Sequence, residues 1–160
     1  MIFKIGHGYD VHALASGLPL VLGGVNIPES PVGFVAHSDG DVALHALCDA
    51  ILGALALGDI GYYFPDTEDE WKGIDSKILL SKVLELAEEN GYRVGNVDIT
   101  ISLQSPKIGK YVPQMREAIA SVLKVPIDFV SVKATTTERL GFVGRGEGCE
   151  VWAVVLMKSE

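Results

Sequence analysis

The chain has 160 residues, of which 48% are hydrophobic and 21% are charged, and its formal net charge is −8. This length and balance predict one folded domain over residues 1–160 that is large enough to bury its own core. The negative charge argues against a nucleic-acid partner, because affinity for a phosphate backbone comes largely from Lys and Arg.

Cysteine content and hydropathy indicate the cellular compartment of the protein. Cys48 and Cys149 are the two cysteines, and neither belongs to a Cys-x-x-Cys pair. We expect buried thiols in a reducing compartment rather than a disulfide. No apolar run approaches a membrane span, and the first residues resemble no export sequence, so a cytoplasmic protein without a membrane partner is expected.

The first half of the chain begins with β-forming residues at 2–14, which predict a strand. Residues 18–27, interrupted by two glycines, predict a hairpin, and residues 28–33 predict a loop. Apolar residues at helical spacing predict a helix over about 39–57, and residues 58–73 are loop-like.

The second half begins with a helix predicted over 75–91, which has one apolar stripe and ends at a glycine. A strand is predicted over 94–103, a third helix from 113 to about 125, and two further strands over 129–135 and 150–158. Together these elements predict an α+β fold in which about three helices cover a mixed sheet of about four strands.

A candidate metal site involves the first strand and the first helix. Residues i and i+2 of a strand point to the same face, so Asp10 and His12 form a two-pronged clamp. His45 lies within the largely apolar helix. Two imidazoles and one carboxylate with a free fourth position match the layout of a catalytic zinc site, although a packed or capping histidine is the common alternative.

Polar residues just before that helix are candidates for phosphate binding. His37 and the Ser38 hydroxyl, together with backbone N–H groups at the helix start, could hold a phosphate, or they could serve only as caps. Asp41 and Asp49 lie four residues before and after His45 on one helical face. Either could orient the imidazole, and a solvated polar face is an equal alternative.

Two later segments also offer ligand-binding groups. Thr135, Thr136 and Thr137 supply three consecutive hydroxyls, and Glu138 supplies a hard oxygen for magnesium. The glycines that follow fit neither the P-loop nor the dinucleotide fingerprint. In the turn at 102–109, a lysine could neutralise phosphate. Taken alone, both segments are also consistent with ordinary strand and turn chemistry.

In their order along the chain, these motifs resemble one family. The motifs are His7-Gly-Tyr-Asp-Val-His12, Ala36-His-Ser-Asp-Gly-Asp-Val42 with His45, Gly58-Asp-Ile-Gly61, Phe64-Pro-Asp-Thr67, Lys133-Ala-Thr-Thr-Thr-Glu138 and Leu140-Gly-Phe-Val-Gly-Arg-Gly-Glu-Gly148. They resemble those of the 2-C-methyl-D-erythritol 2,4-cyclodiphosphate synthases of non-mevalonate isoprenoid biosynthesis, from Ile5 to the last strand. The resemblance implies a homotrimer with active sites between subunits. The implied reaction converts a cytidine diphosphate ester of methylerythritol 2-phosphate to the cyclic diphosphate and CMP.

The resemblance also implies roles for individual residues. Zinc would be held by Asp10, His12 and His45, and magnesium or manganese by Glu138. His37 and Thr136 are expected to stabilise charge in the transition state. The other residues expected to contact substrate are Ser38, Asp59, Ile60, Gly61, Phe64, Pro65, Asp66, Thr67, Glu68, Leu103, Gln104, Ser105, Pro106, Lys107, Ile108, Gly109, Thr135 and Thr137. Phe142 and Arg145 match positions that face the ligand or a central trimer cavity, where some members bind prenyl diphosphates.

The chain departs from the family pattern at two points. After Gly148 it continues directly with Cys149-Glu-Val-Trp152, where the family usually has a small apolar pair. We expect this change to affect the last strand or the cavity wall rather than the metal ligands. Ser105 replaces a frequent alanine. Two alternative functions are a zinc-dependent phosphohydrolase and a non-catalytic trimer that binds CDP or prenyl diphosphates.

Overall fold

The computed structural model describes residues 1–159, and its main feature is a five-stranded mixed sheet. The strands, in the spatial order β4-β1-β7-β5-β6, are β1 (Phe3–Ser16), β4 (Val32–Phe34), β5 (Tyr92–Ser102), β6 (Val130–Thr135) and β7 (Gly148–Ser159). Neighbouring strands are antiparallel except β5 and β6, which are parallel. The predicted hairpin is confirmed as the separate pair β2 (Val21–Leu22) and β3 (Val25–Asn26).

The predicted strand count of four was too low because of β4. Its three residues were predicted to lie in or directly after a loop, but they pair with the end of β1, with Leu14 opposite Phe34. Gly33 lies close to the preceding turn, since a Cβ there would stand 2.0 Å from the Pro19 carbonyl oxygen. Three residues are too few to show a strand pattern in the sequence.

The three long helices are confirmed, and two short ones were missed. The long helices are α1 (Val42–Ala54), α3 (Ser76–Glu89) and α4 (Val112–Leu123), and the short ones are α2 (Ile60–Tyr63) and α5 (Gly141–Gly144). α1 begins later than expected because Asp41 is its N-cap, accepting the Leu44 N–H at 3.1 Å. In the described part of the chain, no helix is both long and apolar enough to span a membrane.

All three long helices pack on one face of the sheet. α1 lies against β1 and β7 and contacts α3, while α4 packs on β6. α1 is buried on nearly every side, and Cys48 and Cys149 are buried and unpaired as expected. Successive side chains of a strand alternate between the two faces, so half of them point to the opposite face. The three long helices leave that face uncovered. Its exposed large apolar side chains are Phe3, Ile5, Tyr9, Val11 and Val154.

Candidate active site

A close approach between α1 and β1 creates the candidate site. Gly6 and Gly8 alternate with the exposed residues of β1 and face the helix. A Cβ on Gly6 would lie 1.8 Å from the Ala50 carbonyl oxygen, and one on Gly8 would lie 1.8 Å from that of Ala46. Only glycine permits this contact, since any other side chain would overlap the helix backbone. The contact places His45 over the next inward-facing residues of β1.

Those next residues are Asp10 and His12, and they form one cluster with His45. The His12 Nε2 and His45 Nδ1 atoms lie 3.1 Å apart. Asp10 Oδ2 lies 3.0 Å from His12 Nε2 and 3.2 Å from His45 Nδ1. Ligands of a tetrahedral zinc ion at ordinary bond lengths are separated by about 3.3 Å. The two nitrogens and one oxygen therefore fit a divalent metal ion without rearrangement, as the sequence predicted.

Charge within the cluster also suits a cation. Burial raises the pKa of Asp10, but hydrogen bonds to His12 and His45 outweigh that effect and hold its pKa well below the ordinary value. Burial lowers the pKa of His45, yet the hydrogen bond and charge of Asp10 raise it overall. Asp10 is therefore ionised at neutral pH and supplies the negative charge that a metal ion would partly neutralise.

The second ring nitrogen of His45 has partners that the sequence did not predict. His45 Nε2 lies 2.9 Å from Ser76 Oγ and 3.2 Å from Ser38 Oγ. Of the two alternatives left open for Asp41 and Asp49, orientation of this ring is not found, because both carboxylates accept from backbone N–H groups. Asp41 accepts backbone N–H groups of the β2–β3 hairpin and of α1, and Asp49 accepts the backbone N–H at the start of α2 at 2.8 Å. Helix spacing places both carboxylates on the same helical face as His45, but each of them accepts backbone N–H groups instead of contacting the ring.

A cavity of about 480 Å³ opens beside the three candidate metal ligands Asp10, His12 and His45, the metal cluster of this chain. Its predicted lining residues are His12, His37, Ser38, His45, Ile60, Gly61, Phe64, Pro65 and Asp66. Ala36, Trp71 and Leu79 also line it and were missed. The sequence offered a sign that Trp71 lines a cavity, because a tryptophan in a polar loop is unusual. Its ring packs edge-on against Phe64 at 5.1 Å between centroids.

Three residues predicted in this region lie outside the cavity wall. Asp59 caps α2 by accepting the Tyr62 N–H at 3.0 Å. Glu68 supports the wall, because its carbonyl oxygen accepts from His37 Nε2 at 3.1 Å and its carboxylate accepts from Trp71 Nε1 at 3.1 Å. Thr67 is exposed on the same loop.

A second cavity, of about 590 Å³, lies where β5 and β6 end. Its predicted lining residues are Leu103, Gln104, Pro106, Lys107, Ile108, Gly109, Thr135 and Thr136. Glu29, Ala134 and Lys110 were missed. The carboxylate of Glu29 binds Lys110 Nζ at 2.8 Å and also accepts from the Tyr111 hydroxyl. Parallel pairing of β5 and β6 explains why two segments distant in sequence meet here.

The remaining predicted residues lie beside this second cavity or near α5. Ser105 is exposed and outside the wall, and the Thr137 hydroxyl donates to the Leu140 carbonyl oxygen at 2.6 Å. The Glu138 side chain is exposed, with its backbone in a left-handed conformation at φ 54°. Arg145 forms a two-point ion pair with Glu147 at 2.9 and 3.2 Å.

Phe142 lies over the start of β7, since its ring is 3.1 Å from where a Cβ on Gly148 would stand. Neither Phe142 nor Arg145 lines the two cavities. The cavities themselves share no lining residue, and β7 separates β1 from β5 and β6 in the sheet. One chain thus carries two separate cavities with different lining residues.

Known proteins are similar to the chain over almost its whole length. The model of the YgbB family matches residues 3–158. The 2-C-methyl-D-erythritol 2,4-cyclodiphosphate synthase of Thioalkalivibrio sulfidiphilus is 59% identical over 156 residues, which cover 98% of this chain and 97% of that protein. The synthase of Geobacter sulfurreducens is 57% identical over 157 residues, covering 98% and 99% of the two chains.

Solved structures agree. Part of the bifunctional IspDF from Campylobacter jejuni superimposes on the chain with a TM-score of 0.95 and is 43% identical to it. The match covers 99% of this chain and 43% of IspDF, so this chain spans less than half of that protein. A 2C-methyl-D-erythritol-2,4-cyclodiphosphate synthase solved with CDP bound gives 0.89 at 39% identity, covering 97% and 100% of the two chains. The Asp10–His12–His45 cluster, the fold and the full-length relatives agree, and the chain belongs to the YgbB family of 2-C-methyl-D-erythritol 2,4-cyclodiphosphate synthases.

Proposed function

We propose that the chain converts 4-diphosphocytidyl-2-C-methyl-D-erythritol 2-phosphate to 2-C-methyl-D-erythritol 2,4-cyclodiphosphate and CMP, in isoprenoid biosynthesis. The observation that carries this proposal is the Asp10–His12–His45 cluster on the wall of a cavity, in a chain that is 59% identical to such a synthase. We also propose that the protein acts in the cytoplasm, where the substrate and product, both charged small molecules, would be dissolved.

The reaction requires positioning more than covalent catalysis by the protein. An oxygen of the 2-phosphate attacks the β-phosphorus of the same molecule, and the bond from that phosphorus to the oxygen shared with the α-phosphate breaks, releasing CMP. Nucleophile and electrophile are tethered, so holding them in line lowers the barrier without a protein nucleophile. The electrostatic difficulty is that two negatively charged groups must approach each other.

Two proposed cation sites in the chain would reduce the repulsion between these negatively charged groups. Asp10, His12 and His45 would hold zinc, and Glu138 would hold magnesium or manganese. When bound, these cations supply Lewis acidity toward phosphate oxygens and offset their negative charge. A single exposed carboxylate at Glu138 suits magnesium, which usually keeps several waters and is shared with substrate phosphates.

Two hydroxyls, of Ser38 and Thr136, and the His37 imidazole are the groups that we assign to contacts with phosphate oxygens. His37 donates through Nε2 to the Glu68 carbonyl oxygen, so its Nδ1 can donate to a phosphate oxygen only in the imidazolium form. The Ser38 hydroxyl oxygen accepts from the Gly40 N–H, and that of Thr136 accepts from the Glu138 N–H. Both hydroxyl protons therefore remain available to a phosphate. We assign His37 and Thr136 to charge stabilisation in the transition state and Ser38 to substrate binding.

The two cavities divide the rest of the substrate between them. We assign the methylerythritol end to the cavity beside the metal cluster, with Ile60, Gly61, Phe64, Pro65 and Asp66 as its wall and Asp59, Thr67 and Glu68 as the supporting loop. We assign the cytidine diphosphate end to the second cavity. We assign its contacts to the lining residues Leu103, Gln104, Pro106, Lys107, Ile108, Gly109 and Thr135, and to Ser105 and Thr137 beside the wall.

The separation of the cavities supports a homotrimer in which neighbouring subunits join unlike half-sites. The uncovered sheet face, with Ile5 and Val154 among its exposed apolar residues, is the surface we assign to the interface. Phe142 and Arg145 would then lie toward the central cavity, which would accept a prenyl diphosphate. We expect Val154→Asp to dissociate the trimer in sedimentation experiments, whereas Ile78→Asp, at an exposed site on α3, leaves it intact. A trimeric Val154→Asp protein would contradict this interface.

Phosphorus NMR tests the proposed reaction. The protein is incubated with the cytidine diphosphate substrate, with and without a zinc chelator. Two coupled signals of a cyclic diphosphate together with CMP, both lost with the chelator, are the expected result. A linear phosphate product would instead identify a phosphohydrolase, and ligand shifts without turnover would identify a binding protein.

A further inference from the structure

His45 sits between two sets of partners, one on each ring nitrogen. Nδ1 faces Asp10 and His12 in the metal cluster. Nε2 faces the hydroxyls of Ser76, at 2.9 Å, and of Ser38, at 3.2 Å. A neutral imidazole carries one proton, so the nitrogen that holds it decides whether Nδ1 has a lone pair for a metal ion.

Asp39 determines which way the Ser76 hydroxyl donates. Asp39 Oδ1 lies 2.5 Å from Ser76 Oγ and also accepts the Asp41 N–H at 3.0 Å, while Oδ2 accepts the Ser76 N–H at 2.9 Å. A carboxylate in this setting acts as an acceptor, so the single Ser76 hydroxyl proton goes to Asp39. Toward His45, Ser76 can then only accept.

We propose that Ser76, oriented by Asp39, is a positioning residue that keeps the proton of His45 on Nε2 and so presents the Nδ1 lone pair to the metal ion. This inference rests on the metal site proposed above and adds a hydrogen-bond chain, Asp39–Ser76–His45, behind it. Partners of this kind fix the tautomer and orientation of metal-binding histidines and raise metal affinity.

The same chain of hydrogen bonds separates the roles of the two serines. His45 Nε2 gives its proton to Ser76 and has no lone pair left to accept the Ser38 hydroxyl proton. Ser38 is half-buried on the cavity wall, whereas Ser76 is fully buried. The Ser38 hydroxyl proton is therefore free for a substrate phosphate, and Ser76 serves the metal alone.

Backbone contacts hold the Asp39–Ser76–His45 chain in place. Ser76 is the first residue of α3, and Asp75 caps that helix by accepting the Lys77 N–H at 2.9 Å. The Asp39 N–H donates to the Ile74 carbonyl oxygen at 3.1 Å, which ties the loop before α1 to the start of α3. The position of the Ser76 hydroxyl is thus set by two helices, and His45 is clamped between α3 and β1.

Zinc affinity provides the first test, measured by competition with a chromophoric chelator. Ser76→Ala is expected to bind zinc 10- to 100-fold more weakly than the wild-type protein. Ser76→Thr, which keeps the hydroxyl, should recover most of that affinity, and Ser38→Ala should stay within about threefold of wild type, since the chain of hydrogen bonds does not need it. A folded Ser76→Ala protein with wild-type zinc affinity would overturn the inference.

Nitrogen-15 NMR of the imidazoles in the zinc-loaded wild-type protein provides a second test, which needs no variant to fold. A protonated Nε2 on His45, with the metal on Nδ1, is expected. Metal on Nε2 or a proton on Nδ1 would overturn the assignment. A wild-type protein that binds no zinc would overturn the metal site itself, which separates that failure from failure of the hydrogen-bond chain.

Discussion

The two cavities are built in contrasting ways. Beside the metal cluster, His45 is only 6% exposed, and each of its ring nitrogens has hydrogen-bond partners. In the second cavity, Lys107, Thr135 and Thr136 are exposed at the ends of strands and on the following turn. Ligands of a metal ion need fixed positions, and the candidate ligand His45 is anchored in the core. The groups that we propose to recognise a sugar, base and phosphate lie on surface segments, where the proposed ligand and neighbouring subunit would complete their contacts.

The largest effect should come from removing the buried ligand. His45→Ala is expected to abolish zinc binding and to reduce turnover by at least about 10³-fold, because two ligands hold zinc poorly. CDP affinity should change little, because the second cavity shares no lining residue with the first. Metal analysis, turnover and calorimetry with CDP check the three parts. Undiminished turnover would remove zinc from the proposed reaction.

The contact beneath the metal cluster should be almost as sensitive. Gly8→Ala places a Cβ 1.8 Å from the Ala46 carbonyl oxygen and must push α1 off β1. We expect the free energy of unfolding to fall by about 3 kcal/mol and zinc affinity to fall with it. Urea unfolding measures the first quantity.

Gly53→Ala is the matched control on the other side of this contact, since the nearest atom to its new Cβ is 3.9 Å away. It should be neutral or gain up to about 1 kcal/mol of stability from helix propensity. Equal stability of the two variants would contradict the close-packing explanation.

A substitution of Glu138, beside the second cavity, should affect catalysis without affecting the fold. Glu138→Gln is expected to lower turnover by about 10²-fold and to weaken its dependence on magnesium, since an amide is a poorer ligand than a carboxylate. Zinc content and unfolding should match the wild-type protein. Glu117→Gln, at an exposed site on α4, is the control and should keep full activity. Loss of zinc from the Glu138→Gln protein would show that the two cavities are not independent.

The smallest effect concerns a buried carboxylate that supports α1. Burial raises the pKa of Asp41 to about 6, although three backbone N–H groups oppose the shift. The folded state therefore binds this proton more tightly than the unfolded state. Stability from this group is full below about pH 4 and is lost as pH rises through about 6.

Asp41→Asn removes that pH dependence and turns an amide N–H toward backbone donors. We expect the free energy of unfolding to fall by on the order of 1–2 kcal/mol at pH 4, with a smaller difference from wild type at pH 7. Urea unfolding of both proteins at the two pH values gives the comparison. A difference that grows with pH would contradict the direction of the pKa shift.

Much of the candidate site could be predicted because its signals are local. Asp10 and His12 share a strand face by alternation, and the motif around His45 identified the third ligand. Ser76 could not be found in this way, since its role depends on the start of α3 lying beside a histidine 31 residues earlier. Glu29 was missed for a similar reason, because it lines the second cavity beside Lys110 and Tyr111, and Tyr111 is 82 residues away in the sequence.

The amino-acid sequence alone determined the long helices, the long strands, the candidate metal ligands and the family, because periodicity, capping and motif order are properties of neighbouring residues. The tertiary structure decided the rest: the pairing of β4 with β1, the contact of Gly8 with α1, the turning of His45 toward Ser76 and the division of the site into two cavities. Each of these depends on residues far apart in the chain coming within a few ångströms, and such distances are set by packing of the whole core.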